Sequence, residues 1–182
     1  TVSRCVIRGN TTTADGGGAY GGTLVNCVLS GNAAANGSGA AQAALTHCTV
    51  ARNVASGSGA AYQCTSLNSI IYENTGGNVV GGAATYSCLI PDVGGTGNTT
   101  NDPIFAHSEG GDFHVLFSSP CIDAGSAAGV TIDLDGTPRP QPATYGGTPG
   151  YELGAYEYYP LARFVWTNGT HTAPYDTWAR AA

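Results

Sequence analysis

Small or aliphatic residues alternate with polar ones over four short stretches in the first half of the chain, and the stretches are near-copies of one phrase. They read Ser3-Arg-Cys-Val-Ile-Arg-Gly-Asn10, Val25-Asn-Cys-Val-Leu-Ser-Gly-Asn32, Thr46-His-Cys-Thr-Val-Ala-Arg-Asn53 and Leu67-Asn-Ser-Ile-Ile-Tyr-Glu-Asn74, with a degenerate fifth at Tyr86-Ser-Cys-Leu-Ile-Pro-Asp92. The inward positions of this period-2 pattern are Cys5 and Ile7, Cys27 and Leu29, Cys48 and Val50, Ser69 and Ile71, and Cys88 and Ile90. Alternation over so few residues predicts short strands with one buried face. A fixed repeat of 21 to 22 residues predicts a solenoid, because one repeat cannot bury its apolar face alone.

A second echo stands before each strand: Gly18-Ala-Tyr20, Gly39-Ala-Ala41, Gly59-Ala-Ala61 and, more loosely, Gly82-Ala-Ala84. Gly, Ala, Ser, Thr and Asn fill the returns, so neither the Leu framework of leucine-rich repeats nor the longer apolar faces of helical repeats is present. The predicted fold is all-β, a right-handed parallel β-helix with rungs of about 21 residues. Residues 1–92 form the regular rungs, 93–160 the irregular last coils and a C-terminal cap, and 161–182 a linker or cap-like tail. In that tail Arg163 to Asn168 is expected to be a strand and Tyr175 to Ala182 the start of a helix.

Stacking gives the recurring residues physical roles. Asn10, Asn32, Asn53 and Asn74 end successive strands, where Asn tolerates left-handed backbone and its amide bonds from rung to rung as a ladder. Cys5, Cys27 and Cys48 fit as small buried hydrophobes in a narrow core, with thiols predicted to be inert. Cys64, Cys88 and Cys121 lie off the strict period or near its end; a Cys88–Cys121 disulfide is one pairing open to them, although sequence alone does not fix connectivity.

Composition narrows the setting. Of 182 residues only 10% are charged, Gly accounts for 28, Met and Lys are absent, and the net charge of −6 carries six dispersed Arg. Such a balance argues against nucleic acid or an anionic membrane surface as partner. No apolar run reaches the length of a membrane span, and no signal peptide opens the chain, whose start at Thr1 lies almost inside a strand as in a mature or excised segment. Low charge, abundant Thr, Asn and Gly, and six Cys fit an exported protein, extracellular or at the cell surface. The sequons at Asn10, Asn36, Asn98 and Asn168 add little, since turn-forming Asn beside Gly or Thr produces them by chance.

Together with the Asn-Cys-Val-Leu-Ser-Gly-Asn phrase, later segments make a distinctive series: Gly97-Asn-Thr-Thr-Asn-Asp-Pro-Ile-Phe105, Gly111-Asp-Phe-His-Val115, Ser119-Pro-Cys-Ile-Asp-Ala-Gly125, Asp133-Leu-Asp-Gly-Thr-Pro-Arg-Pro140 and Glu152-Leu-Gly-Ala-Tyr-Glu157. Up to Tyr159 the chain resembles bacterial secreted β-helix proteins of the choice-of-anchor Q type, within the pectate-lyase-like superfamily. That resemblance implies a large exported, often modular protein with no catalytic activity common to the family. The tail is similar to the segment that opens and caps the next module in such proteins.

Catalytic signatures are missing from the rungs. The acids in residues 1–92 are Asp15, Glu73 and Asp92, scattered among turns, and Arg4, Arg8 and Arg52 have no acidic neighbours at matching positions. Neither the stacked carboxylates and base of a Ca²⁺-dependent lyase nor the carboxylate pair of a hydrolase is apparent. The candidate metal site is Asp133 and Asp135, whose alternate carboxylates suit Ca²⁺; a turn in which one Asp pairs with Arg139 is favoured over it. His47 is expected to face outward, and His107, His114 and His171 to lack triad partners. Tyr145, Tyr151, Tyr156, Tyr158 and Tyr159 suit either a sugar-stacking platform or, by preference, a cap packed over the last rung.

The expected function is therefore a non-enzymatic structural module that needs no cofactor and assembles head to tail with its own copies. Val2 would meet Phe164, Trp166, Tyr175 and Trp178 from the tail of the next copy. A carbohydrate-binding or adhesive module, with extracellular polysaccharide as partner, is the runner-up, and a polysaccharide-lyase-like enzyme fragment the third reading.

Overall fold

Three short parallel sheets, with a two-stranded fourth in which Ala33–Asn36 pairs with Val54–Ser58 across an irregularity, wrap one narrow core in a β-solenoid of about four turns. The computed structural model describes residues 1–144 and 147–159 in full, and the backbone alone of Val165–Thr167 and Thr170–Thr172. The first sheet stacks Val2–Ser3, Thr23–Val25, Ala44–Thr46, Thr65–Leu67 and Ala83–Thr85. The second stacks Val6–Arg8, Val28–Ser30, Thr49–Ala51, Ile70–Tyr72 and Cys88–Leu89, and the third Ala19–Tyr20, Ala40–Ala41, Ala61–Tyr62 and Val79–Val80. Every pairing within these sheets is parallel and in register.

Rungs turn at three corners where the backbone is left-handed. One column is Arg4, Asn26, His47, Asn68 and Tyr86, with φ between 46° and 52°; another is Gly9, Gly31, Arg52 and Glu73; the third is Gly21, Gln42, Gln63 and Gly81. The asparagines of the ladder are not among the left-handed residues, which is a correction to the sequence reading. The residue before each Asn takes the positive φ, which turns the Asn side chain inward.

Leu24, Leu45 and Ala84 from the first sheet, Leu29, Val50, Ile71 and Leu89 from the second, and Ala40, Ala61 and Val79 from the third fill the interior, with Cys27 and Cys48 between them. The strand phase expected for the first four phrases is the observed one. In the fifth it slips by one residue. Ile70 is opposite Cys88 and Ile71 opposite Leu89, so Ser87 rather than Cys88 continues the column of Ser69, and Ile90 is 43% exposed. The cause is a shortened return, in which Ser69 N–H meets Ser87 Oγ only 18 residues on, against 21 for Cys48 and Ser69. The echo preceding the strands shifts as well: Ala61–Tyr62 and Val79–Val80 take the third-sheet positions, while Ala83–Thr85 belongs to the first sheet.

Cys5, expected to be buried, is exposed because its rung lies at the open end of the stack. All six thiols are free.

Residues 101–144 and 147–159 add no strand to the parallel sheets. They run along the outer side of the second sheet, so that this sheet is buried on both faces, as a parallel sheet prefers. Val28 and Ala51 pack outward on Phe113 and Ala155, and Ile70 and Cys88 on Val115, Cys121, Leu153 and Tyr158. Two antiparallel pairings stiffen this layer, Phe105–His107 with Asp112–Val115 around a 3₁₀ turn at Ser108–Gly110, and Gln141–Pro142 with Pro149–Gly150. Val165–Thr167 and Thr170–Thr172 pair antiparallel. Phe164 and the predicted helix start from Tyr175, with Trp178, lie outside the described residues. No helix among the described residues is long and apolar enough to cross a membrane.

Candidate functional site

The polar residues singled out by the repeats resolve into four places: an internal ladder, a buried seam under the outer layer, an exposed histidine clasp and an open groove.

The ladder is continuous. Asn10 Nδ2 donates to Asn32 Oδ1 at 3.0 Å, Asn32 to Asn53 and Asn53 to Asn74 at the same distance, and Asn74 to Asn78 at 2.9 Å. Each backbone N–H donates to the same acceptor, one rung on for Asn10, Asn32 and Asn53 and four residues on for Asn74. The amides of Asn32, Asn53 and Asn74 also donate to Ile7, Leu29 and Val50 carbonyls. Asn32 and Asn53 are fully buried, so these bonds satisfy groups that water does not reach.

The seam is built on the first corner column. Asn26 donates to the Ile132 carbonyl, and Asn68 clamps Ser126, accepting its N–H at 2.9 Å and donating to its carbonyl. His47, between them, leaves the coil as expected but is fully buried by the layer above it. Its Nε2 accepts from Asn68 Nδ2 at 3.0 Å, which puts the ring proton on Nδ1. Burial, and then the nearby Arg139 guanidinium, hold it neutral, with its pKa lowered to about 3. Arg139 is buried and pairs with the Glu157 carboxylate, not with Asp133 or Asp135, while donating to the Glu152 and Gly154 carbonyls. Glu152 lies fully buried beside this pair, with neither carboxylate oxygen partnered by protein. Desolvation first, and the adjoining Glu157 next, raise its pKa to about 10, so it carries its proton at neutral pH.

Asp133 and Asp135 serve different partners. Asp133 is buried and accepts the N–H groups of Thr137 at 2.7 Å and Glu157 at 2.8 Å. Asp135 is exposed and meets His114 Nε2 at 3.0 Å. His114 Nδ1 lies 2.7 Å from Asp112, and its ring stacks on Tyr156 with centroids 3.9 Å apart. His114, expected to lack a triad partner, thus lies between two carboxylates, the second from a turn 21 residues away. Among the described residues no group of three or more His, Cys, Asp or Glu is arranged to hold a metal ion.

The described tyrosines of this set do not assemble into one platform. Tyr151 faces His47, Tyr156 lies on His114, Tyr158 is buried beside Phe117, and Tyr159 is exposed. Tyr145 lies outside the described residues.

The groove follows from the second corner column. Gly9 and Gly31 occupy positions that carry Arg52 and Glu73 on the next rungs. Their missing side chains leave a trench of about 310 Å³ floored by the glycines and walled by Arg8, Ser30, Arg52, Glu109 and Phe113. Arg52 is not without acidic neighbours, lying 3.6 Å from Glu73 and 4.0 Å from Glu109. The Arg52 and Glu73 match was visible in the aligned phrases, one residue before each Asn.

At the open end of the stack the first-rung strands Val2–Ser3 and Val6–Arg8 are edge strands, with Val2 43% and Val6 53% exposed. Comparison with protein-family models, curated proteins and solved structures finds no match to this chain.

Proposed function

We propose that the chain is a non-enzymatic structural module of an extracellular fibre or cell-surface protein, stacked head to tail on further β-helical rungs. The observation that carries this reading is the in-register stacking of the rungs: Val2–Ser3, Val6–Arg8 and Ala19–Tyr20 lie at the edges of their sheets, where a further rung continues the parallel pairing, beside exposed Val2 and Val6. Such an edge is a template for strand addition. A copy of the chain supplies the complement: the tail, with Phe164, Trp166, Tyr175 and Trp178 as aromatic anchors, covers Val2 and its neighbours. The contact is heterologous, so it propagates unless rotation closes a ring. Resemblance of the late motifs to choice-of-anchor Q proteins supports export and a modular setting, and the titratable groups drawn into the seam fit structural rather than catalytic use.

The test is electron microscopy and sedimentation of the full chain beside a truncation after Pro160 and the Trp166→Ala/Trp178→Ala double variant. Filaments from the parent and folded, non-polymerising variants are expected. Ordered filaments from the truncated chain would sink the reading.

A carbohydrate-binding, adhesive module is the second reading, favoured by the Arg8–Arg52 groove. Glycan-array binding that is lost in Arg8→Ala would support it.

A further inference from the structure

We infer that Cys88 and Cys121 are joined by a disulfide when the chain folds in an oxidising compartment, an inference that rests on the exported setting proposed above. The two residues stand 33 positions apart in sequence. One lies on the last strand of the second sheet, the other in a turn of the outer layer. The slipped fifth rung brings them together: by turning Cys88 out of the core it places that thiol in the same fully buried cluster as Cys121, among Ile70, Val115, Leu153 and Tyr158. The neighbouring Cys88 thiol first, and burial next, push the Cys121 pKa far above its ordinary value. Cys88 belongs to the coil and Cys121 to the layer packed on it, so a bond between them would join the two.

The other cysteines are less suited. Cys27 and Cys48 also touch, but they sit on successive in-register rungs and project in the same direction. Both donate their S–H within the coil, Cys27 to Val25 at 3.3 Å and Cys48 to Thr46 at 3.4 Å, whereas Cys88 donates to Asn101, where the outer layer begins, at 3.2 Å. Cys64 donates to the Ala40 carbonyl, and Cys5 is exposed at the open end.

The oxidant is a small-molecule disulfide. One cysteine thiolate attacks its S–S bond and expels a thiol, leaving a mixed disulfide. The second cysteine then attacks the protein sulfur and expels the other thiol. In sum, two S–H bonds break and one S–S bond forms, and the oxidant takes up two electrons and two protons as two thiols. Because both sulfurs are fully buried in the folded chain, exchange takes place before the outer layer closes.

The experiment refolds the full, reduced chain in a mixture of oxidised and reduced glutathione, quenches with acid and alkylates in denaturant without reductant. Four of the six thiols are expected to alkylate, with a single cross-linked peptide pair containing Cys88 and Cys121. Cys88→Ala and Cys121→Ala are each expected to lose that cross-link. The same oxidant added to chain already folded in the reduced state is expected to act at least tenfold more slowly. Six alkylated thiols after refolding, or a cross-link joining Cys27 to Cys48, would overturn the inference. The readout involves no filament, so it fails or succeeds independently of head-to-tail assembly.

Discussion

Removing one amide from the middle of the ladder is expected to cost far more than removing one from its end. In Asn53→Ala the fully buried N–H of Asn32 loses its acceptor, and the carbonyls of Leu29 and Ala51 lose their donor. Each buried group left unsatisfied costs about 1–3 kcal/mol. Carbonyls that keep a sheet bond fall at the low end, so the three together come to roughly 3–6 kcal/mol. Against a typical domain stability of about 5–15 kcal/mol, that loss brings the chain near its unfolding threshold. Asn10→Ala is the control: its side chain is exposed, and Asn32 Oδ1 keeps the bond from the Asn10 backbone N–H, so a cost below about 1 kcal/mol is expected. Urea unfolding of both variants, followed by circular dichroism, measures the difference. The isosteric Asn53→Asp keeps the acceptor but sets a carboxylate against the Leu29 carbonyl and Asn74 Oδ1, so it should be more damaging at pH 7 than at pH 4. Equal losses at positions 10 and 53 would refute the ladder as a source of stability.

Glu152→Gln should stabilise the chain increasingly as pH rises above about 4.5, since the unfolded carboxyl ionises there while the folded one stays protonated up to about 10; the slope is at most about 1.4 kcal/mol per pH unit. Denaturation at pH 4 and pH 8 checks it, with no gain expected at pH 4. His47 works in the opposite direction: its folded pKa of about 3 means stability falls as pH drops below about 6.5, and His47→Asn should flatten that acid limb in the same assay. In the native reduced protein a bulky thiol reagent should label Cys5 rapidly and the five buried cysteines slowly; rapid labelling of Cys27 or Cys48 would contradict the core assignment. Ile71→Asp should abolish folding by burying an unpaired charge, whereas Glu73→Ala, which loses a partly exposed ion pair, should cost under about 1 kcal/mol, as a comparison of soluble yield and melting temperature would show.

The coil was legible in the sequence because each rung repeats one physical problem. Leu29, Val50 and Ile71 recur at the positions a narrow core requires, and Asn32, Asn53 and Asn74 at the turns. The fifth phrase misled because Cys88 looks like its predecessors while the return before it is shorter, and only pairing decides which face the residue takes. A different clue went unused. Val28 and Ile70 stand between inward positions, and a continuous apolar run signals a strand covered on both sides. The outer layer itself was not legible, since Asp112, His114 and Asp135 meet through turns with no period. The groove was half legible: Gly9, Gly31, Arg52 and Glu73 share a column in the aligned phrases, but Glu109 reaches it from the layer.

A solenoid whose repeats touch only their neighbours can fray from an end, and can gain or lose a rung at little cost. The layer along the second sheet removes both freedoms. It meets rung after rung in one continuous span: Ile132 at Asn26, Ala155 at Thr49, Ser126 and Gly154 at Asn68, and Cys121 at Cys88. Rungs distant in the stack thus share a common fastening, and unzipping one end requires lifting contacts made to the others. The same span works as a ruler. Its anchor points are fixed to particular corners, so a rung inserted or deleted between Asn26 and Cys88 would leave Asn68 without Ser126 or Thr49 without Ala155, and the spacing of those corners is matched to the segment that binds them.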